Sequence, residues 1–320
     1  VASFYHAFSE TKEILHFVYK KIKKTVHFFY KKGKTWYDIH MPYLCTHLAF
    51  GCDVAKALGQ PIQTMDDAYV LGCFGPDVYF FDRLPPTPFV PHRKKHGNAL
   101  HALDCAVLFD ALTACAAEGD TPYLLGFLTH IALDSTLHPY VEAHHSGHDH
   151  TRFEGVIDAL VYAQTRDAVP YAALLKKQYD AASIDALLAR VSHRLDLVDV
   201  RGAYVRSLRK FHRLAPFLFD PEGKRYRALH RAERLIGKDG LLSAFLLAAP
   251  REDAEDTMNL SRAAWINPFR ENDVRTDSVP MLFSEAEALA AKLLRAYLCG
   301  DCDAVKSLLE GRTMQKGVLT

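Results

Sequence analysis

The sequence predicts an all-α protein. Apolar residues recur at three- and four-residue spacing over long stretches, alternating strands are absent, and Gly or Pro cuts the periodic stretches where helices should end. At 320 residues, with 49% hydrophobic and 24% charged residues, the composition is that of a globular chain. A formal net charge of +1 gives no overall bias toward nucleic acid or anionic membranes. No apolar run reaches transmembrane length and no signal-peptide pattern opens the chain, so a cytoplasmic location is the expectation. Seven cysteines, an odd number scattered over helical segments, fit reduced thiols better than a disulfide framework. Cys299 and Cys302 read as a pair of helix-end thiols.

Residues 1–40 form the first zone, with eight lysines against Glu10, Glu13 and Asp38. Ile14, Val18, Ile22, Val26 and Phe29 share one helical stripe, the pattern of a basic amphipathic helix that lies on a membrane surface or docks on the protein's own core. This zone reads as an extension, non-native or disordered, ahead of a helical domain over 41–320 whose motifs fall in 41–164. In that domain "DDAYVLGCFGPD" predicts a helix ending at Gly75-Pro76, with Asp77 just beyond it. The four prolines of residues 83–98 predict a loop. "ALHALDCAVLFDALTACAAEG" predicts one helix closing at Gly119. "TPYLLGFLTHIALDSTLH" predicts another, with Thr121 as N-cap, Pro122 at the first helical position and an end at His138 before Pro139. Further helices follow, such as "SIDALLARVSHRLDLV" and "FSEAEALAAKLLRAYL".

The chemistry concentrates in the His-rich stretch 130–158. Residues four apart on a helix lie one turn above each other, so His130, Asp134 and His138 form one column, and His150, Glu154 and Asp158 form a second. A zinc ion takes imidazole nitrogen and carboxylate oxygen, and one helix supplies only part of its shell, so two His-x3-acid helices suit a polynuclear site. Asp134, between two histidines, has two oxygens with which to bridge two cations. Either pair alone is more often a surface pair or a satisfied core histidine. His144, His145 and His148 lack the period and read as solvated loop residues. An HD-type phosphohydrolase is a weaker reading, because His148-Asp149 falls in the predicted loop.

"THLAFG", "GPDVYFF", "GNALH", "YLLGFLTHIALDSTLHPYV" and "HTRFE" occur in an order that resembles the bacterial zinc-dependent phospholipase C family, over roughly Met41 to Gln164. The resemblance implies an all-helical fold shared with the single-strand-specific zinc nucleases, and two or three Zn2+ ions in a cleft. By position, it implies His101, His130 and Asp134 at a first metal, and His138, His150 and Glu154 at a second. His47 and Asp77 would hold a third, bridged by Asp134, with His92 and His96 in reserve. In secreted members the free N-terminal amine helps bind the third metal. Forty residues precede the match here, a departure from that pattern, although a start at Met41 with removal of that methionine would bring the Pro42 amine near His47.

The implied reaction is hydrolysis of a phosphodiester, most simply of a phospholipid to diacylglycerol and a phosphorylated headgroup. Asp77 would be the catalytic base or water-orienting residue, and Arg152 a phosphate contact or an exposed salt-bridge partner. The partners implied are a phospholipid or other phosphodiester substrate and a peripheral membrane contact, with no stable nucleic-acid partner. Two alternatives stand beside this reading. One is a nuclease or nucleotide phosphodiesterase, using Tyr79, Phe80, Phe81 or Phe89 to stack bases. The other is a non-catalytic protein stapled by zinc.

Overall fold

The computed structural model describes residues 44–59, 66–83, 94–145, 148–176, 180–198, 201–235, 237, 240, 242–251 and 256–318. Lys94, Lys95, His148 and Asp149 are described by backbone alone. The basic N-terminal zone, the Pro42 amine, His92 and Phe89 lie outside these residues. Among the described residues are eleven α-helices: α1 Leu44–Ala57, α2 Asp67–Phe74, α3 Lys94–Ala102, α4 Cys105–Cys115, α5 Thr121–His144, α6 His148–Thr165, α7 Ala182–Arg194, α8 Ala203–Leu218, α9 Lys224–Leu235, α10 Val279–Leu298 and α11 Cys302–Leu309. Two short antiparallel pairs complete them, β1 Trp265–Ile266 with β2 Val274–Arg275, and β3 Arg312–Thr313 with β4 Gly317–Val318. The all-α class stands.

α5 is the axis of the fold. From Tyr123 to Val141 nearly every side chain is buried, on all faces, as expected of a helix enclosed by others rather than laid on a surface. Helices α1, α2, α4, α6 and α10 and the β3–β4 hairpin all pack against it. α2 approaches most closely, at a glycine–glycine crossing. A Cβ on Gly72 would lie 2.2 Å from Tyr123 O, and one on Gly126 would lie 2.1 Å from Tyr69 O. The two backbones therefore meet without intervening side chains. α10 buries Val279, Leu282, Ala286, Leu289, Ala290, Leu293 and Leu294, the three-four stripe of a helix with one face in the core.

Several predicted boundaries move. α5 does not stop at His138; it runs through Pro139 to His144. Proline removes one ladder hydrogen bond, a cost of about 3 kcal/mol in an exposed helix, but Tyr140 and Val141 just beyond it are fully buried and hold the helix on the core. Thr121 opens α5 rather than capping it, and Asp120 occupies the cap position. The segment predicted as one helix up to Gly119 divides into α3 and α4 and closes at Cys115. Asp104 makes the division by accepting from Ala106 N (2.8 Å) and Val107 N (3.2 Å), an N-cap in mid-segment. Helix α3 begins at Lys94, inside the stretch predicted as loop. His148 and Asp149 open α6 instead of lying in a loop.

Cys299 follows the last residue of α10 and Cys302 opens α11, and both are free thiols. No single helix among the described residues is long and apolar enough to cross a membrane.

Candidate metal centre

His130 and Asp134 lie one turn apart on α5, with His130 Nε2 3.1 Å from Asp134 Oδ2 and both side chains sealed from solvent. His130 Nδ1 sits 3.0 Å from Cys73 O at the end of α2. Donation of that N–H leaves Nε2 as the lone-pair nitrogen facing the carboxylate. The glycine–glycine crossing sets this geometry by bringing the end of α2 onto α5. The next residue, Gly75, adopts φ +51°, and a Cβ there would lie 2.7 Å from the His130 ring. Glycine is thus required at the turn that launches a 3₁₀ helix, Gly75–Arg83, and with it Asp77.

Around this pair the other ligand candidates converge. His47, on the first turns of α1, stacks on the His130 ring at 4.3 Å and places Nε2 3.2 Å from Asp134 Oδ1 and 3.6 Å from Asp77 Oδ2. His101, on α3, places Nε2 3.0 Å from Asp77 Oδ1 and 3.5 Å from Asp134 Oδ2, while its Nδ1 bonds Gly97 O at 2.8 Å. Each aspartate thus turns one oxygen toward His47 and the other toward His101. The resemblance implies Asp77 with His47 and a bridging Asp134; in the structure Asp77 also reaches His101, and Asp77, His101 and His130 bring donor atoms within 4.8 Å of one another, as His47, His130 and Asp134 do.

A second group stands next to the first. His138, His150 and Glu154 bring one donor atom each within 4.8 Å of one another. His138 Nδ1 bonds Met314 O at 2.7 Å, so its Nε2 also points inward, 3.8 Å from Glu154 Oε1. His150 contacts Glu154 through Nε2, and its Nδ1 lies 3.0 Å from Glu142 Oε1. The His101 and His138 rings are 6.5 Å apart, so the two groups adjoin.

The electrostatics follow from burying so many carboxylates and imidazoles together. Burial alone would raise the Asp134 carboxyl, yet His130, His138 and His47 hold it well below the usual range. Asp77 is likewise pushed up by burial and brought down further by its hydrogen bond to His101 and by His130. Burial lowers the imidazoles, but Asp134 and Asp77 raise His101 to about 10, and Glu154 and Glu142 raise His150 to about 10. His47 is raised as well, by Asp134 and Asp77 against burial.

The donor chemistry fits zinc. Imidazole Nε2 atoms held by carbonyls behind them and carboxylate oxygens in front are the shell that zinc selects. His130 Nε2, Asp134 Oδ2 and Glu154 Oε2 are buried without a hydrogen bond of good geometry, as atoms poised for a cation would be. Residues 46–202, which contain all eight ligand candidates, match the family model for zinc dependent phospholipase C. Residues 46–202 form a domain of the zinc-dependent phospholipase C family. No curated protein and no solved structure matches it.

Within this phospholipase C family domain the structure also shows what the motifs conceal. Asp158, third in the α6 column, joins neither group of candidate ligands. Its Oδ1 accepts from Thr46 N (2.9 Å) and Thr46 Oγ1 (3.1 Å), tying α6 to the first turn of α1 beside His47. His96 is not among the ligands; it is buried against Tyr79 and 3.2 Å from Ser192 Oγ, and burial lowers it to about 4. His144 is no loop residue: it closes α5 and stacks on Phe153.

Glu142 was invisible to sequence reading because the helix was expected to end at His138. Its position four residues after His138 was the available signal. Cys73 O, Gly97 O and Met314 O are backbone atoms, which no side-chain pattern reveals.

Proposed function

We propose that this zinc hydrolase is a phospholipase C-like phosphodiesterase that cleaves a phospholipid to diacylglycerol and a phosphorylated headgroup. The observation that carries the reading is the number of ligands in the second group. Among the described residues His138, His150 and Glu154 are three, the two-histidine, one-glutamate set that a catalytic zinc would use with a fourth position open, where structural zinc takes four protein ligands. This favours the reading over a protein merely stapled by zinc.

These residues would hold zinc, which when bound would supply positive charge at the non-bridging phosphate oxygens and lower the pKa of a water. The chain's own part is positional. Asp134 presents Oδ1 to His47 and Oδ2 to His130 and His101, so that it would be shared between the ligand sets on either side of it. Asp77, ionised at neutral pH, is the proton acceptor or orienting group for the attacking water. Arg152, on α6 between His150 and Glu154, is the proposed phosphate contact. A lipid substrate brings with it peripheral contact with a membrane, and residues 41–320 act as one catalytic unit.

The three candidate aromatics among the described residues weigh against nucleic acid. A nuclease needs exposed platforms for base stacking, but Tyr79, Phe80 and Phe81 are buried, Phe81 against Phe211 in the core and Tyr79 against Tyr204. They belong to packing, and so they form no acyl-chain rim either.

The test is metal content by plasma mass spectrometry on the purified chain and its Asp134→Asn variant, with chelator-reversible hydrolysis of phosphatidylcholine vesicles and of single-stranded DNA. Two or three zincs in the wild type, fewer in the variant, and lipid cleavage lost with them support the proposal. Zinc-free wild type after zinc-replete purification sinks it, and cleavage of DNA but not lipid replaces the substrate.

A further inference from the structure

The last described residues of the chain, far outside 46–202, reach into the metal centre. The β3–β4 hairpin pairs Arg312 with Val318 and Thr313 with Gly317, and its loop is closed by Lys316 N donating to Thr313 Oγ1 (3.0 Å). Met314 at its tip is fully buried. Its carbonyl accepts from His138 Nδ1 at 2.7 Å, and the next amide, Gln315 N, donates to His101 O at 3.1 Å. One loop therefore holds a ligand of each zinc group.

The hairpin is itself held at two points. Asp104, which caps α4 through Oδ1, accepts from Gly311 N through Oδ2 at 2.9 Å. Gly317, at φ +71°, lies against Pro139 in α5. A Cβ there would be 2.8 Å from Ser135 O and 2.9 Å from Pro139 Cγ. Ser135 O is the carbonyl that the amide of residue 139 would satisfy in an unbroken helix, and proline has no such amide. The proline thus both removes one ladder hydrogen bond from α5, one residue after His138, and makes the seat on which the hairpin rests.

We propose that the hairpin Arg312–Val318 is a positioning element of the zinc site, required for tight zinc binding by His138, His150 and Glu154. The proposal rests on the zinc reading above. Two ring nitrogens compete for the proton of a neutral imidazole, and the hydrogen bond made by one decides which is left to bind metal. For His130 the acceptor comes from α2 and for His101 from its own helix. For His138 it comes only from Met314 O among the hydrogen bonds of the described residues. Backbone partners behind a metal-bound imidazole are worth roughly 10- to 100-fold in metal affinity.

The experiment measures zinc affinity by chelator competition, together with imidazole nitrogen-15 spectra, for four proteins: the full chain, a chain ending at Glu310, Gly317→Ala and Gln315→Ala. The truncated chain and Gly317→Ala should each lose about 10- to 100-fold in affinity for one class of zinc and lose the Nδ1–H signature of His138, with helical circular dichroism retained. Gln315→Ala keeps its amide and should match the full chain. Should the truncated chain fail to fold, Gly317→Ala decides: wild-type affinity and spectrum there overturn the proposal. A full chain that binds no zinc overturns the zinc reading and this proposal together, whereas a full chain that binds zinc no better than both variants overturns this proposal alone.

Discussion

Glu142 and His150 are bound across the α5–α6 junction, Oε1 to Nδ1 at 3.0 Å, although neither helix alone brings them together. Glu142 continues the column His130, Asp134, His138 on α5. Steps of four residues overshoot a 3.6-residue turn by about 40°, so the column winds around the helix. It starts at the first group and ends facing α6.

A carboxylate behind a metal-bound imidazole raises the ligand's basicity and fixes its orientation. Glu142→Gln should therefore weaken zinc at the second group by about 10- to 100-fold and leave the first group unaffected, as read by chelator competition on the purified variant. Equal affinity in variant and wild type would show that Glu142 is only a surface neighbour.

Zinc and protons compete for the same nitrogens. In zinc-free protein His101 and His150 are both raised from an ordinary 6.5 to about 10, so at neutral pH each carries a proton that zinc must displace. Calorimetric titration in buffers of different ionisation enthalpy should show proton release from both on zinc binding, with apparent affinity rising as pH approaches 10. The same shifts act on folding. A histidine whose folded pKa is raised contributes stability that is complete below about 6.5 and lost as pH rises through about 10. The melting temperature of zinc-free protein should fall across that window, and a flat profile would contradict the buried ion pairs.

The crossing of α2 and α5 should tolerate no side chain. Gly126→Val places atoms where Tyr69 O now lies, 2.1 Å from the Cβ site, and overpacking of this kind costs about 1–3 kcal/mol or more. The expected result is a melting temperature lower by several degrees and weaker zinc binding, because His130 loses its registry with Cys73 O. A variant that melts and binds zinc as the wild type does would mean that the helices can separate without consequence.

The sequence by itself determined the helical class, the eight candidate ligands and the family, because spacing on a helix is a local property and ordered motifs survive without knowledge of contacts. His130 and Asp134 could be placed on one face from their four-residue interval alone. Only the tertiary structure decided how the ligands group. Asp77 divides its oxygens between His47 of α1 and His101 of α3 because it leaves the glycine turn after α2 toward both, a relation among segments that no interval encodes. The extension of α5 past Pro139 was hidden for the same reason. Local preference ends a helix before proline, and burial of Tyr140 and Val141 against the rest of the molecule overrides it. With that extension come Glu142 and the seat for the C-terminal hairpin, whose Met314 carbonyl meets His138 across 176 residues of chain. Backbone atoms carry no identity in a sequence, so their part in holding the imidazoles appears only when the chain is folded.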